Sequence, residues 1–359
     1  MRVGVAIPSY QAARYIGDTL RSLTAQSHTD WFCVVVNDGE DDGTSTVVQS
    51  INDPRIRYVH DGIHRGQLRA FNRAIILALA REPDVVRLLS ADDVLYPHDL
   101  AEMVRVLREH PTVGLVATYF DTIDQDGRLV FRVDMRGRGD RIMRGREYLV
   151  KGVAVGNTIG GPSSVAIRRE AFVSAGLFDT RLDYNGDSDL WHRVAAAWDV
   201  AWIGPRVGLQ YRVHTGSVTS RDQFAPGKFS DTIQIVRRVA ATEVLFGPRW
   251  WVHQYTIGRL HAINLQVIVG MARKGHWHGV RTGLRASLRE GVLFYSPFWI
   301  PRIPYQIVRR LLGLPVSRRL LWRKVHESLQ PHFIPVNPPV DPVVERRSAP
   351  SHGAHAVQR

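Results

Sequence analysis

Two adjacent aspartates, Asp92 and Asp93, follow an apolar run at residues 85–89 that has the pattern of a buried strand. Adjacent carboxylates at a strand end are costly unless they are solvated, share a cation or cap the next helix. Carboxylate oxygens of this kind suit Mg²⁺ or Mn²⁺ bound together with a substrate phosphate. The competing interpretation is a turn at the start of a helix, in which Asp93 or Asp99 serves as the N-cap.

Three further polar clusters also follow or precede apolar segments. Asp38 lies in an Asn-Asp-Gly sequence that ordinary turn chemistry explains equally well. Asp187 stands just before an amphipathic stretch, where it serves as an N-cap or, if it faces a cleft, as a general base. Arg212 and His214 suit phosphate neutralisation or a metal shell, although a lone histidine of this kind is more often a surface residue.

The first half of the chain alternates short apolar runs with amphipathic stretches, which predicts βαβ units. Strands are expected at residues 3–7, 32–36, 56–59 and 85–89, and helices at 16–23, 44–51, 66–80 and 98–109. This alternation predicts an α/β fold with a doubly wound, mostly parallel sheet. Because such sheets bind ligands beyond the carboxyl ends of their strands, we expect the clusters at Ser9, Asp38 and Asp92 to meet at one edge.

The pattern changes in the second half of the chain. Helical periodicity dominates residues 229–329, and from residue 331 the sequence lacks periodicity and is rich in Pro, Arg and Ser. We therefore predict three parts: a catalytic domain at 1–222, a basic and mainly helical extension at 223–329, and a disordered tail at 330–359.

The formal net charge of +13 is concentrated late in the chain. Twelve Lys or Arg residues lie between Arg273 and Glu327, against two glutamates, which indicates binding to anionic lipid or nucleic acid. At 292–329, aromatic and aliphatic residues are interleaved with arginines, as is typical of an interfacial helix. We expect an anionic membrane surface and no nucleic acid, since no RNA- or DNA-binding motif appears. The alternative is that the apolar residues pack on the catalytic domain and the arginines are merely solvated.

Cysteine usage and apolar run lengths predict the compartment. The single cysteine, Cys33, excludes an intramolecular disulfide, and its apolar neighbours predict a buried core thiol in a reducing compartment. The opening apolar run is too short for a secretory signal, and no uninterrupted run reaches the roughly 18 residues of a spanning helix. We expect a cytoplasmic protein, peripheral on the inner face of the cell membrane.

The order of these pieces resembles the family 2 glycosyltransferases, which are inverting, use nucleotide-sugar donors and have the GT-A fold. The resemblance covers about residues 2–220. It rests on seven short motifs in order: IPSY at 7–10, NDG at 37–39, GQLRAFNRA at 66–74, LLSADDVLYP at 88–97, RREAFVSAGLFD at 168–179, GDSDLWHR at 186–193 and YRVH at 211–214.

The resemblance implies a nucleotide-sugar site and a set of reacting groups. The nucleotide-sugar would be bordered by Pro8, Ser9, Tyr10, Asp38, Arg69, Asn72, Ala91 and Asp92. In this set, Asp38 would accept a hydrogen bond from N3–H of a uracil or thymine base. Asp92, with His214, would bind the Mn²⁺ or Mg²⁺ that bridges the diphosphate, and Asp187 would be the catalytic base. The supporting residues would be Asp93, Asp189, Trp191 and Arg212.

The chain departs from the family pattern at two positions. Ser90 occupies the first position of the D-x-D element, so one carboxylate is missing there, although Asp93 follows. Gly186 stands where an acidic residue commonly precedes the base. The first departure bears on metal binding and the second on acceptor positioning.

The expected activity is inverting transfer of a sugar from a UDP- or dTDP-sugar to a hydroxyl of a glycan or lipid-linked acceptor, in cell-envelope or surface polysaccharide synthesis. One alternative is a metal-dependent sugar nucleotidyltransferase. Such enzymes usually carry a Gly-rich basic loop after the first strand, whereas this chain has SYQAA at 9–13. A non-catalytic, basic protein on the membrane periphery is the second alternative; it accounts for the late basic segment but leaves the carboxylates unexplained.

Overall fold

The protein is described here from a computed structural model. The described residues are 1–60, 62–182, 184–204, 206–214, 216, 227–241, 250–273, 275–291 and 333–335. The predicted interfacial segment at 292–329 lies outside them. Of the predicted tail at 330–359, only Phe333–Pro335 is described, and it forms a strand.

The larger sheet has eight strands in the order β3-β2-β1-β4-β10-β6-β11-β9. These are β1 Val3–Ser9, β2 Trp31–Asn37, β3 Ile56–His60, β4 Val85–Leu88, β6 Val113–Ala117, β9 Arg141–Met143, β10 Val165–Arg168 and β11 Asp199–Trp202. Strands β3, β2, β1 and β4 are mutually parallel, as are β6 and β11. The crossovers are α1 Ile16–Thr24, α2 Thr44–Ile51, α3 Gln67–Leu79 and α4 Asp99–Glu109. The predicted doubly wound, mostly parallel sheet is therefore confirmed.

Two features of the sheets were not predicted. Strand β10 runs antiparallel to both β4 and β6 in the middle of the larger sheet. A second sheet has the order β13-β8-β7-β12-β5. Its strands are β5 Val94–Leu95, β7 Phe120–Ile123, β8 Leu129–Val133, β12 Leu209–Arg212 and β13 Phe333–Pro335. This sheet places β12, which leads to His214, beside the turn that follows Asp92.

The remaining helices lie between and after the later strands of the chain. They are α5 Gly145–Val155, a 3₁₀ turn Pro162–Ser164, α6 Arg169–Ala175, α7 Gly186–Ala195, α8 Gly227–Ala241, α9 Trp250–Arg273 and α10 Trp277–Arg289. Across the described residues, no helix is both long and apolar enough to cross a membrane.

The core lies on both faces of the parallel strands, as the period-two alternation of a strand dictates. Val5 and Val35 face the α1 side, where they pack with Leu20, whereas Ala6 and Val34 belong to the cluster on the α3 side. Strand β2 is buried along its whole length, which explains its unbroken apolar sequence. Cys33 lies in this core, and burial raises the pKa of its thiol, as the prediction of a buried cysteine requires.

A fully buried ion pair joins β4 to α4. Arg87 Nε donates to Asp99 Oδ2 at 2.9 Å, and both side chains are 0% exposed. The Arg87 guanidinium also donates to the carbonyl oxygens of Leu88 and Val165. Asp99 therefore does not act as a simple helix cap, because its carboxylate is the counter-ion of a buried arginine on the central sheet.

Replacing Asp99 with alanine leaves the Arg87 charge buried without its partner. We expect Asp99→Ala to lower the free energy of unfolding by about 3–5 kcal/mol, measured by urea titration. The control is Glu147→Ala, which removes an exposed carboxylate that pairs with Lys151 on α5 and costs about 0.5 kcal/mol or less. Equal losses in the two variants would contradict this account of the buried pair.

Candidate active site

The predicted polar clusters share one edge of the larger sheet. Ser9 and Asn37 end β1 and β2 in register, and the Ser9 hydroxyl donates to Asn37 Oδ1 at 3.2 Å. The Asp38 amide donates to the Ser9 carbonyl oxygen at 2.8 Å. Strand β4, paired to β1 on its other side, ends just before Ser90 and Asp92. The carboxyl ends of three parallel strands thus bring together the residues that the sequence places far apart.

Asp38 organises the loop that enters α3. Its Oδ1 accepts the Arg65 amide hydrogen at 2.7 Å and its Oδ2 accepts that of Gly66 at 2.9 Å. Nδ1 of His64 lies 3.0 Å from the same Oδ2. Since the Asp38 side chain is 4% exposed, it is held by this loop and presents little surface to a ligand.

An aromatic pair lies at the mouth of the same edge. The rings of Tyr10 and His64 lie 4.4 Å apart and are tilted by 33°. Tyr10 is 50% exposed. A side chain at Gly39 would place its Cβ 3.2 Å from the Tyr10 ring, so glycine permits this close approach. A planar base can stack on such a pair. No motif in the sequence pointed to His64.

The two α3 residues implied by the resemblance differ in exposure and contacts. Arg69 is exposed, whereas Asn72 is half-buried, and its side-chain amide is hydrogen-bonded to the main chain of Phe178. Asn72 Nδ2 donates to the Phe178 carbonyl oxygen and Asn72 Oδ1 accepts the Phe178 amide hydrogen, both at 2.9 Å. These two bonds give Asn72 a structural role, and its nucleotide-sugar contact stays a prediction.

Asp92 and His214 meet at the sheet edge. Asp92 Oδ2 and His214 Nε2 are 3.0 Å apart, and the side chains are 26% and 15% exposed. The Tyr15 ring packs on His214 with 4.9 Å between ring centroids. A carboxylate and an imidazole in this position fit Mn²⁺ or Mg²⁺, because such ions complete their shell with water and substrate phosphate oxygens. No group of three or more His, Cys, Asp or Glu side chains that could hold a metal occurs among the described residues.

Asp93 points into the protein. Its Oδ1 accepts the Arg212 amide hydrogen at 2.8 Å, and the residue is 1% exposed. Burial raises the pKa of the Asp93 carboxyl well above its ordinary value, and the negative charge of Asp92 raises it further. Asp93 therefore braces the turn and does not replace the carboxylate that Ser90 lacks.

The Arg212 guanidinium also faces inward and is 2% exposed. Its Nε donates to the Asp92 carbonyl oxygen at 2.7 Å, and its Nη1 donates to that of Gln125 at 3.2 Å. Its Nη2 lies 3.2 Å from Asp18 Oδ2. With these partners Arg212 supports the Asp92 turn, and its phosphate-neutralising role stays a prediction.

Asp187 lies in the first turn of α7 and is half-buried. Its Oδ1 accepts the Ser188 amide hydrogen at 2.6 Å and its Oδ2 accepts from Asn157 Nδ2 at 3.2 Å. Tyr148 lies nearby: burial raises the pKa of its hydroxyl and the negative charge of Asp187 raises it further. Asn157, an isolated loop residue, is a contact that spacing in the sequence could not reveal.

Asp189 and Trp191 hold α7 in place. Both Asp189 oxygens are paired, one with Arg193 at 2.8 Å and the other with Arg238 at 2.7 Å. Trp191 is fully buried and its indole donates to the Gly160 carbonyl oxygen at 3.0 Å. These contacts are what a supporting role beside Asp187 requires.

One loop, residues 157–163, contacts the surroundings of both predicted reacting groups. At its start Asn157 binds Asp187, and at its end the Ser163 hydroxyl accepts the Ser90 amide hydrogen at 2.9 Å. The loop thereby connects the start of α7 to the end of β4.

The structure explains the glycine at position 186. A Cβ on Gly186 would lie 2.6 Å from Leu68 Cδ1, so α3 occupies the space that an acidic side chain would need. Gly186 is buried where α7 begins.

The comparisons with known proteins agree with this geometry. Residues 4–174 match the family model described as glycosyl transferase family 2. Over these residues the chain is similar to glycosyl transferase family 2. The match favours sugar transfer over the nucleotidyltransferase alternative, and it ends before α7, which carries Asp187.

Curated relatives include proteins named as glycosyltransferases. The putative teichuronic acid biosynthesis glycosyltransferase TuaG of Bacillus subtilis is 31% identical over 170 residues, which cover 47% of this chain and 62% of TuaG. An uncharacterized glycosyltransferase of Rickettsia typhi is 27% identical over 221 residues, covering 61% of this chain and 66% of the relative. The chain thus spans less than two thirds of the length of these relatives.

Solved structures show the same fold. The crystal structure of S. aureus TarS 1–349 in complex with UDP-GlcNAc superposes with a TM-score of 0.62 at 16% identity, covering 83% of this chain and 84% of that one. The mannosyltransferase PcManGT from Pyrobaculum calidifontis, in complex with GDP-Man and Mn²⁺, gives 0.50 at 18% identity and 88% coverage of both chains. The fold is therefore GT-A.

Proposed function

We propose that the protein transfers a sugar, with inversion, from a UDP- or dTDP-sugar to a hydroxyl of a glycan or lipid-linked acceptor in cell-envelope polysaccharide synthesis. The observation that carries the proposal is the loop at 157–163, which contacts Asp187 at one end and the Asp92 turn at the other. The name of TuaG and the UDP-GlcNAc bound to TarS support the choice of pathway and donor.

In the proposed reaction Asp187 takes the proton of the acceptor hydroxyl while the hydroxyl oxygen bonds to the anomeric carbon. The bond from that carbon to the diphosphate oxygen breaks at the same time, and the nucleoside diphosphate leaves. Asn157 and the Ser188 amide, both bound to Asp187, fix the direction of its carboxylate. Removal of the proton by a positioned base typically contributes 10²–10⁴-fold to such a rate.

Asp92 and His214 would hold a divalent ion of the Mn²⁺ or Mg²⁺ type. When bound, the ion neutralises charge on the departing diphosphate. Arg212 holds the Asp92 turn from behind through the Asp92 carbonyl oxygen, and Tyr15 keeps the His214 ring in place. On the nucleotide side, Tyr10 and His64 offer a stacking surface for the base, with Ser9, Pro8 and Ala91 lining the adjoining strand ends.

The helical extension supplies a surface for the membrane partner. Helix α10 exposes Trp277, Leu284 and Leu288 in one stripe, with 63%, 42% and 63% of their surface accessible. Arg281 and Arg285 are exposed between them. Residues 250–289 contain no Asp or Glu, so this face complements an anionic lipid surface. Such binding would bring the candidate active site to a lipid-linked acceptor. Membrane binding by the segment at 292–329 stays a separate prediction.

The base is tested by Asp187→Asn, which preserves the shape of the side chain but cannot take up a proton. We expect kcat for release of nucleoside diphosphate from UDP-GlcNAc and other UDP- and dTDP-sugars to fall by at least about 10²-fold. Donor affinity, measured by calorimetry, stays within about twofold, because Asp187 acts on the acceptor. Near-native turnover would remove Asp187 from the mechanism.

The metal site is tested with the full-length protein and added chelator. We expect EDTA to abolish turnover and Mn²⁺ or Mg²⁺ to restore it, with Asp92→Ala and His214→Ala each requiring about tenfold more metal or worse. Asp126→Ala, which removes an exposed carboxylate from the neighbouring β7–β8 turn, serves as the control. Full activity in excess EDTA would show that protein groups alone stabilise the leaving diphosphate.

Membrane binding is tested by co-sedimentation with phosphatidylserine-containing vesicles at low salt. At about 1 kcal/mol for each basic residue near an anionic surface, Arg281→Ala with Arg285→Ala should weaken binding roughly 30-fold. The control replaces Arg128 and Arg136, two exposed arginines of the catalytic domain. Equal binding by both double variants, or no binding by the unaltered protein, would refute the assignment of α10.

A further inference from the structure

Helix α8 lies beyond the family match, which ends at residue 174, and yet it contacts the segment that carries Asp187. Its contacts fall at two places along that segment: the residues just before α7 and the first turn of α7.

The first place is the entry to α7. Asp231 Oδ2 accepts the amide hydrogens of Tyr184 at 2.8 Å and Asn185 at 3.2 Å. Asn185 Nδ2 donates to Thr232 Oγ1 at 2.9 Å. Asp231 is 5% exposed, so α8 supplies from outside the kind of capping contact that a helix start normally takes from its own sequence.

The second place is Asp189, two residues after Asp187. Arg238 joins Asp189 Oδ1 through Nη1 and Asp179 Oδ2 through Nη2, each at 2.7 Å. The Asp189 side chain is 2% exposed. Arg238 thereby ties the first turn of α7 to the segment that follows α6, and the charge-assisted bonds at both nitrogens fix the guanidinium.

Helix α8 is itself fixed from its other side. Arg237 Nη1 lies 2.6 Å from Glu290 Oε2 at the end of α10, and Arg289 of α10 donates to the Ser230 hydroxyl at 3.0 Å. Two adjacent arginines of α8 therefore bind different helices: Arg237 pairs with Glu290 at the end of α10, and Arg238 pairs with Asp189 of α7.

We infer that α8 is a brace for the catalytic base, and that Arg238 and Asp231 are positioning residues for Asp187. The inference rests on the proposed role of Asp187 as the base. Neither residue touches the reacting atoms; both restrain the turn from which Asp187 projects. Displacement of a catalytic group by about 1 Å can cost up to 10²-fold in rate, so loss of the brace acts on turnover and not on donor binding.

The adjacent arginines provide a matched test in the full-length protein. We expect Arg238→Ala to lower kcat for UDP-sugar turnover by roughly tenfold or more while the donor KM changes by less than about twofold. Arg237→Ala breaks an ion pair with another buried carboxylate and lowers the melting temperature comparably, but it leaves kcat within about twofold. Arg238→Lys recovers only part of the loss, since one ammonium cannot replace a guanidinium that spans two carboxylates.

Hydrogen exchange supplies a readout that does not need activity. In Arg238→Ala and Asp231→Ala, amides of residues 184–190 should exchange faster than in the unaltered protein, whereas Arg237→Ala should leave them unchanged. Unchanged exchange and kcat in Arg238→Ala would overturn the brace even if Asp187→Asn is inactive. If Asp187→Asn is fully active, Asp187 is not the base and the proposed function fails. Faster hydrogen exchange at residues 184–190 would then have no bearing on catalysis.

Discussion

The arrangement of the candidate metal site depends on the hydrogen bonds of one buried residue, Arg212. Arg212 lies on β12 of the second sheet. Its guanidinium donates to the Asp92 carbonyl oxygen, and its main-chain amide donates to the Asp93 carboxylate. These bonds join the end of β4 to β12, and His214 follows two residues later on the same chain segment. These bonds hold Asp92 and His214 opposite each other, with Asp92 Oδ2 3.0 Å from His214 Nε2. The buried arginine thus supports the candidate metal-binding turn through its hydrogen bonds.

The elements that could be predicted from the sequence are those in which apolar residues recur with the period of a strand or a helix. Apolar runs gave the positions of β1, β2 and β4, and the rule that ligands bind at the carboxyl ends of parallel strands placed Ser9, Asp38 and Asp92 at one edge. The antiparallel course of β10 could not be predicted, because its four residues carry no sign of direction. The contacts that Asn72 and Arg212 make with the main chain could not be predicted for a related reason. Spacing identifies which polar residues lie near a site, but the direction of each side chain is decided by tertiary partners such as Phe178.

The proposed catalytic groups are supported by contacts from parts of the chain that differ in sequence character. Asp187 is held by a loop residue, Asn157, and its helix is held by the buried Trp191 and by Arg238 of α8. Asn157 and Arg238 are isolated polar residues of a loop and of the extension, and no local pattern links them to α7. Asn157 lies within the matched residues 4–174, whereas Asp187, Trp191 and Arg238 lie beyond them.

The contact between position 186 and Leu68 makes these two sites dependent on each other. With glycine at 186, leucine fills the space beside the start of α7. An acidic residue introduced there alone would collide with Leu68, and a smaller residue at 68 alone would leave a cavity. The effects of changes at 186 and 68 are therefore expected to be non-additive, because the two side chains compete for one space. Relatives that keep the acidic residue before the base are accordingly expected to carry a smaller side chain at the position that corresponds to Leu68.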